Sequence, residues 1–316
     1  VVIINLIYFA ISCALLVASG IYLTKSMAKI ARFLGIPEFS VAFIIMAFAT
    51  SIPELFIGVS SAFYGNPELS LGNILGANIL NLTLISGIII LVSKEIKMHP
   101  LKTEKDSYMM LFAVILLTGL YILGETLSRI DGIILLAFFS INTYSIFKKR
   151  KKYSKKINNT EKQYKFYWLL VFLISLVLLF ISANLAVRYA TGLAMDLNIP
   201  QIVIGLFLLS IATTLPELTF GVSAVALKHE SMAIGDQIGT IITNSTLILG
   251  IVALINPITS ELVPFMIAAL FMIVSAFVFI KFIKTGHKLE RMEGIILILI
   301  YILFIILEIF LKGAIS

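Results

Sequence analysis

Apolar residues follow one another along this chain in long runs. Most runs are about 20 residues, enough at ~1.5 Å per residue to cross roughly 30 Å of hydrocarbon. They predict helices over 2–23, 41–63, 70–93, 107–124, 130–147, 167–187, 201–227, 231–255, 262–280 and 292–311. The breaks carry turn residues: Gly-Asn-Pro-Glu at 65–68, Asn-Ile-Pro at 198–200 and Asn-Pro at 256–257. A polar, lysine-rich segment at 148–166 divides the ten spans into two sets of five. The expected fold is therefore an all-α polytopic membrane protein. Residues 1–147 form a first five-helix unit, 148–166 a linker, and 167–316 a second unit. The first run has neither a charged leading region nor a small-residue cleavage site, so it reads as a retained span.

Polar residues interrupt the apolar pattern in two related places. Ala-Thr-Ser-Ile-Pro-Glu occupies 49–54 and Ala-Thr-Thr-Leu-Pro-Glu occupies 212–217. Adding 163 to a first-half position superimposes the halves. Ile36-Pro37 falls on Ile199-Pro200, Pro53-Glu54-Leu55 on Pro216-Glu217-Leu218, and Gly58-Val59-Ser60 on Gly221-Val222-Ser223. Gly72, Gly76, Asn81, Leu84 and Gly87 fall on Gly235, Gly239, Asn244, Leu247 and Gly250. The repeated segments run from about 41 to 93 and from about 201 to 255. Five spans is an odd number, so the second unit enters the membrane from the opposite side. That is an inverted repeat, an architecture of secondary transporters with sites near the midplane where the repeats meet. A duplicated scaffold without transport would not need to repeat its polar residues.

The composition supports this picture: 60% of positions are apolar and 13% charged. Lysine and arginine then set the orientation. Loops on one side hold 21 of them and the other side holds 3, namely Arg129, Arg188 and Lys312. The 148–166 segment is therefore cytoplasmic, and both termini lie outside a cell membrane. The net charge of +7 is mostly this bias, so the basic segment needs no nucleic-acid partner. Cys13 is the only cysteine, which excludes an intrachain disulfide and thiolate metal sites. His99, His229 and His287 fall in predicted loops. Tyr164, Tyr167 and Trp168 read as interfacial anchors, and Glu308 as an acid snorkelling from the last span.

Glu54 and Glu217 fall near the middle of their spans, with no basic residue deep in any span to neutralise them. A membrane carboxylate marks an ion or proton site by default. Pro53 and Pro216 lack an N–H, which frees the carbonyls of Ala49 and Ala212 as hard oxygen ligands. Thr50 and Ser51 share a helical face with Glu54, as Thr213 and Thr214 do with Glu217. Asn73, Ala77 and Asn81 form one stripe, and Asp236, Thr240 and Asn244 another. Asn81 and Asn244 offer amide oxygens near mid-membrane. Asp236 lies about two turns, roughly 12 Å, before Asn244. It reads as an access residue, a second proton or cation position, or an interfacial acid. The glycines of these stripes read as close helix packing. Ser182 and Asn184 read as packing hydrogen bonds or the lining of a path. The donor set is all oxygen, which suits Ca²⁺ and Na⁺ rather than zinc or copper.

At these residues the chain resembles the cation/calcium exchanger superfamily, in its prokaryotic sodium/calcium antiporter type. The motifs ATSIPEL…SLGNILGANILN and ATTLPEL…AIGDQIGTIITN carry the resemblance, which extends over the whole chain. It implies Glu54 and Glu217 as principal ligands of transported Ca²⁺ and Na⁺. It implies Thr50, Ser51, Thr213, Thr214, Asn81, Thr240, Asn244 and the carbonyls of Ala49 and Ala212 as supporting ligands. It also implies that the first and sixth helices slide across the other eight. Three positions depart from the family pattern: Ala77 replaces a frequent serine, Asp236 a frequent asparagine, and Asn244 a frequent acid. The expected function is Na⁺/Ca²⁺ antiport by a monomer in lipid, with no cofactor and no enzymatic activity. The alternatives are H⁺- or K⁺-dependent Ca²⁺ exchange and, more distantly, a cation channel. The acids follow prolines and no Gly-x-Gly-Asp motif occurs, which disfavours an intramembrane protease.

Overall fold

The computed structural model describes residues 2–33, 47–93, 95–97, 100–150, 165–197, 200–226, 228, 230–284 and 288–315. Ile36-Pro37, the three histidines, Tyr164, Ile199 and most of the basic linker lie outside them. The protein is all-α: α1 (Val2–Phe33), α2 (Ala47–Thr50), α3 (Ile52–Phe63), α4 (Pro67–Leu80), α5 (Ser86–Ser93), α6 (Pro100–Gly124), α7 (Arg129–Arg150), α8 (Lys165–Leu197), α9 (Gln201–Ile204), α10 (Ser210–Ala226), α11 (Glu230–Ile242), α12 (Leu249–Ile255), α13 (Leu262–Lys284) and α14 (Arg291–Ile315). Among the described residues, 7 helical segments are long and apolar enough to cross a membrane. α7 and α14, at 22 and 25 residues, are also long enough to cross roughly 30 Å at ~1.5 Å per residue.

The Gly-Asn-Pro-Glu break at 65–68 acts as expected. Gly65 takes a φ of +77°, which glycine adopts without a side-chain clash, and Pro67 opens α4, where a missing N–H costs nothing. Helix ends run further than the apolar runs: α8 extends to Leu197 and α1 to Phe33.

Wide helical turns were not legible in the apolar pattern. π segments occupy Asn81–Ile85, Gly205–Leu209 and Thr243–Ile248. A π turn releases backbone carbonyls from the i→i−4 ladder, and side-chain hydroxyls can take them up. Ser86 donates to the Asn81 carbonyl at 2.6 Å, and Thr246 to Ile242 at 2.5 Å. Thr83 and Ser210 donate likewise to Ile79 and Leu206. The first and third segments occupy equivalent positions in the two halves.

Two apolar clusters hold the molecule together. The larger joins α4–α7 and α9–α14. The smaller joins α1 and α8 and meets α3, α4 and the α9 region through Ile52, Ile57, Leu69 and Ile204. α4 is buried on all sides except at Glu68. Its glycines allow backbone-to-backbone contact. A Cβ on Gly72 would lie 2.1 Å from the Ile202 carbonyl oxygen, and one on Gly205 would lie 2.4 Å from that of Leu69. The small residues read as packing positions are therefore where α4 crosses the start of the next repeated segment.

Two short pairings tie loops together. β1 (Glu95–Lys97) and β2 (Lys288–Glu290) are antiparallel, with Glu95 opposite Glu290 and Lys97 opposite Lys288. Leu127 and Ile258 form a separate antiparallel bridge through N–H···O=C bonds of 2.9 and 3.0 Å. Adding 163 to Glu95 gives Ile258, and subtracting 163 from Glu290 gives Leu127. The same pairing thus occurs twice, at opposite ends of α6.

Candidate cation site

The helix carrying Glu54 breaks at Ser51, whose φ and ψ are −77° and 1°. α2 ends at Thr50, and Pro53 is the second residue of α3. The helix carrying Glu217 differs: α10 continues through Pro216 as one element. Two half-helices therefore form at Pro53 but not at Pro216. In both cases proline withholds the N–H that the carbonyl four residues earlier, Ala49 or Ala212, would accept. The two prolines meet the same point of α1. A Cβ on Gly20 would lie 3.1 Å from Pro216 Cγ and 3.2 Å from Pro53 Cγ.

Glu54 and Glu217 are both 0% exposed, and none of their four carboxylate oxygens has a hydrogen-bond partner. They face across the repeats. Glu54 faces the Thr213 hydroxyl and Glu217 faces that of Thr50, and the two carboxyls act on each other electrostatically. Asp236 is equally buried and unpartnered, acts on Glu217, and also faces Thr50. Among the described residues, only other acids and threonine hydroxyls act on these three carboxyls from side chains, and no basic group does. Among the described residues no three acidic, histidine or cysteine side chains gather closely enough to share one metal ion.

The hydroxyl and amide candidates divide into three groups. Thr50 Oγ1 lies 3.5 Å from Thr240 Oγ1, and Thr213 Oγ1 donates to Asn73 Oδ1 at 3.1 Å. Thr50 and Thr213 are the threonines that face Glu217 and Glu54, and Thr240 joins them through Thr50. Ser51 Oγ, both polar atoms of Asn81 and Asn244 Oδ1 are buried without partners, so their oxygens are open to a cation. Thr214 donates its hydrogen to the carbonyl of Ser210 at 2.8 Å, as Thr50 and Thr213 do to those of Ala47 and Ser210 at 3.3 Å, which leaves the oxygen lone pairs of all three.

Sequence reading missed the supports of this site. Asn78 donates to Ser245 Oγ at 2.8 Å and accepts from Asn244 Nδ2 at 3.2 Å. That chain fixes the Asn244 amide with its oxygen left over. Asn73 belonged to a recognised stripe, yet nothing in its spacing showed that Thr213 would reach it. Outside the site, Ser182 and Asn184 donate to the carbonyls of Leu179 and Phe180, as packing residues do. Glu308 is 6% exposed and is buried rather than snorkelling. Trp168 stacks edge-on to Tyr167 and lies under the Lys29 ammonium, an arrangement suited to an interfacial anchor.

The profile of the family described as "Sodium/calcium exchanger protein" matches residues 4–148 and 167–310. The chain is 27% identical to the sodium/calcium exchanger MaX1 of Methanosarcina acetivorans, covering 96% of this chain and 98% of that one. It is 28% identical to an uncharacterised membrane protein of Methanocaldococcus jannaschii, covering 94% and 95%. Among solved structures, the sodium-calcium exchanger NCX_Mj soaked with 10 mM Na⁺ and zero Ca²⁺ superposes with a TM-score of 0.69. That match has 25% identity over 96% of this chain and 99% of that one.

Proposed function

The chain belongs to the sodium/calcium exchanger family, and from that premise we propose that it exchanges Na⁺ for Ca²⁺ by alternating access at the Glu54–Glu217 site. One observation carries this reading: two wholly buried, unpartnered glutamates, one from each repeated segment, each face the other segment's threonine. An ionised carboxylate in a dry interior costs several kcal/mol unless a cation or proton compensates it. Ca²⁺ matches two carboxylates in charge, and hard oxygen ligands suit it. Glu54 and Glu217 bind it with Asn81 and Asn244 amide oxygens, the Ser51 hydroxyl, and the carbonyls of Ala49 and Ala212. Na⁺ ions take the same carboxylates in turn. Occupied states are then stable and empty ones are not, which links the two fluxes. One chain supplies every ligand, so a monomer suffices.

Ten spans in two inverted units fit this reading. The repeated 95/290 and 127/258 pairings lie at opposite ends of α6, as inversion requires. The unequal distribution of lysine and arginine places the 148–166 segment in the cytoplasm and both termini outside. Access alternates as α1 and α8 move together over the remaining helices. The apolar residues that α1 and α8 share favour their moving as a pair, and Gly20 keeps a side chain out of the contact with both prolines.

Reconstituted protein tests the exchange. Na⁺-loaded proteoliposomes diluted into Na⁺-free buffer are expected to take up ⁴⁵Ca²⁺, and collapsing the Na⁺ gradient should stop uptake. Uptake that ignores Na⁺ and follows an imposed pH gradient would assign coupling to protons. Uptake that needs K⁺ as well would place the protein with K⁺-dependent exchangers, and flux that needs no counter-ion would indicate a channel.

A further inference from the structure

An asparagine offers a cation its oxygen or, turned over, its NH₂ group, and the two ends have nearly the same shape. The site has two such side chains at equivalent positions in the two halves, Asn81 and Asn244. They are not held alike. Among the described residues neither polar atom of Asn81 has a partner, so an arriving cation must itself turn the oxygen inward. Asn244 gives its Nδ2 to Asn78 Oδ1 at 3.2 Å, and only its Oδ1 is left over. Asn78 is set in its turn. Its Nδ2 donates to Ser245 Oγ at 2.8 Å and to Met272 Sδ at 3.5 Å. A serine hydroxyl accepts or donates, so Ser245 alone does not decide which end of the Asn78 amide it meets. The Met272 thioether has no hydrogen to give and so selects the NH₂ end. With that end toward α13, the Asn78 oxygen is left for Asn244. All four side chains are wholly buried, so these contacts and not solvent fix both amides. Adding 163 to Asn78 gives Ile241, and subtracting 163 from Ser245 gives Leu82, so the first half has no copy of this relay.

We propose that Asn78 is a positioning residue of the cation site: held by Met272 and Ser245, it keeps the Asn244 oxygen turned toward Ca²⁺ and the NH₂ turned away. This rests on the exchange reading, in which Asn244 is a ligand, and explains how a neutral side chain serves there. An amide free to turn presents the positive end of its dipole to the cation in one of its two orientations, and ordering it on binding lowers affinity. The relay makes that choice when α4 packs against α13 and the π segment Thr243–Ile248, before any cation arrives. Groups that orient a metal ligand in this way act on affinity without touching the ion.

Equilibrium binding of ⁴⁵Ca²⁺ to purified protein in Na⁺-free buffer tests the proposal. Asn78→Leu nearly keeps the side-chain shape and removes the acceptor. It should weaken Ca²⁺ binding about tenfold or more, the usual cost of losing a group that orients a metal ligand. The same change made together with Asn244→Asp should cost less than about threefold relative to Asn244→Asp alone, because a carboxylate presents oxygen whichever way it turns. Equal losses in the two backgrounds would make Asn78 a packing residue only and overturn the proposal, as would wild-type affinity in Asn78→Leu. Asn244→Leu should itself weaken binding; if it does not, Asn244 is no ligand and the proposal falls while the Glu54–Glu217 reading stands. If the wild type binds no ⁴⁵Ca²⁺, the exchange reading fails and this proposal with it. Should Asn78→Leu not fold, Met272→Leu combined with Ser245→Ala removes both acceptors at little change in packing and frees Asn78 to turn. That variant should bind Ca²⁺ at least about threefold more weakly, and unchanged affinity would overturn the proposal.

Discussion

Replacing either membrane glutamate by glutamine is expected to abolish Na⁺-dependent ⁴⁵Ca²⁺ uptake. Glutamine keeps the size of the side chain and one carbonyl oxygen but removes the charge. The site then has one carboxylate fewer with which to balance a divalent cation, and among the described residues no buried basic group can rearrange to compensate. A loss of at least about 100-fold corresponds to ~2.8 kcal/mol, at about 1.4 kcal/mol per factor of ten. That is within what removing one ligand charge from a dry site should cost. Glu54→Gln and Glu217→Gln should behave alike, because each faces the other segment's threonine and neither has a substitute. Both variants should remain folded and monodisperse, since each relieves an unpartnered buried charge. Exchange at half the wild-type rate or more in either variant would contradict the assignment.

The second large effect is structural. Gly72→Ala is expected to destabilise the protein by about 4 kcal/mol or more, the range of severe single substitutions. The added Cβ would meet the Ile202 carbonyl oxygen at 2.1 Å and its carbonyl carbon at 2.8 Å. These are backbone atoms of the crossing segment, so no flexible side chain can move aside. The two repeated segments would have to separate, and the glutamates with them. Gly119→Ala provides the contrast, because that position has no neighbour within 4 Å. Thermal unfolding in detergent, followed by tryptophan fluorescence or aggregation, should show a large drop in midpoint for Gly72→Ala and almost none for Gly119→Ala. Equal midpoints would remove the backbone crossing as the framework of the site.

Much of this architecture can be read from the chain because membrane physics leaves few options. Long apolar runs must be helices, and a carboxylate inside one must have a purpose. The 163-residue offset then brings Thr50 into register with Thr213 and Glu54 with Glu217, and the structure brings these four residues together. What stayed hidden has physical causes. A π turn inserts one residue without disturbing the apolar composition, so nothing announced the wide turns beginning at Asn81 and Thr243. Proline signals a missing N–H but not whether the helix breaks. Pro53 follows a break at Ser51, whereas α10 runs through Pro216. Where a helical hydroxyl sends its hydrogen is also invisible in the sequence, and Thr214 sends its own to the Ser210 carbonyl. Asn78 lay off the recognised stripe, and only tertiary packing gives it the task of orienting Asn244. The β1–β2 pairing joins loops almost 200 positions apart, a distance that local patterns do not reach.

In the proposed exchange, one cation position is shared by both repeats and by both ions. Crystals soaked in Sr²⁺, a heavier stand-in for Ca²⁺, test it most directly through anomalous difference density. A peak is expected between the Glu54 and Glu217 carboxylates, disappearing when the soak contains a large excess of Na⁺. A peak touching only one of the two glutamates, a peak elsewhere, or one indifferent to Na⁺ would contradict it.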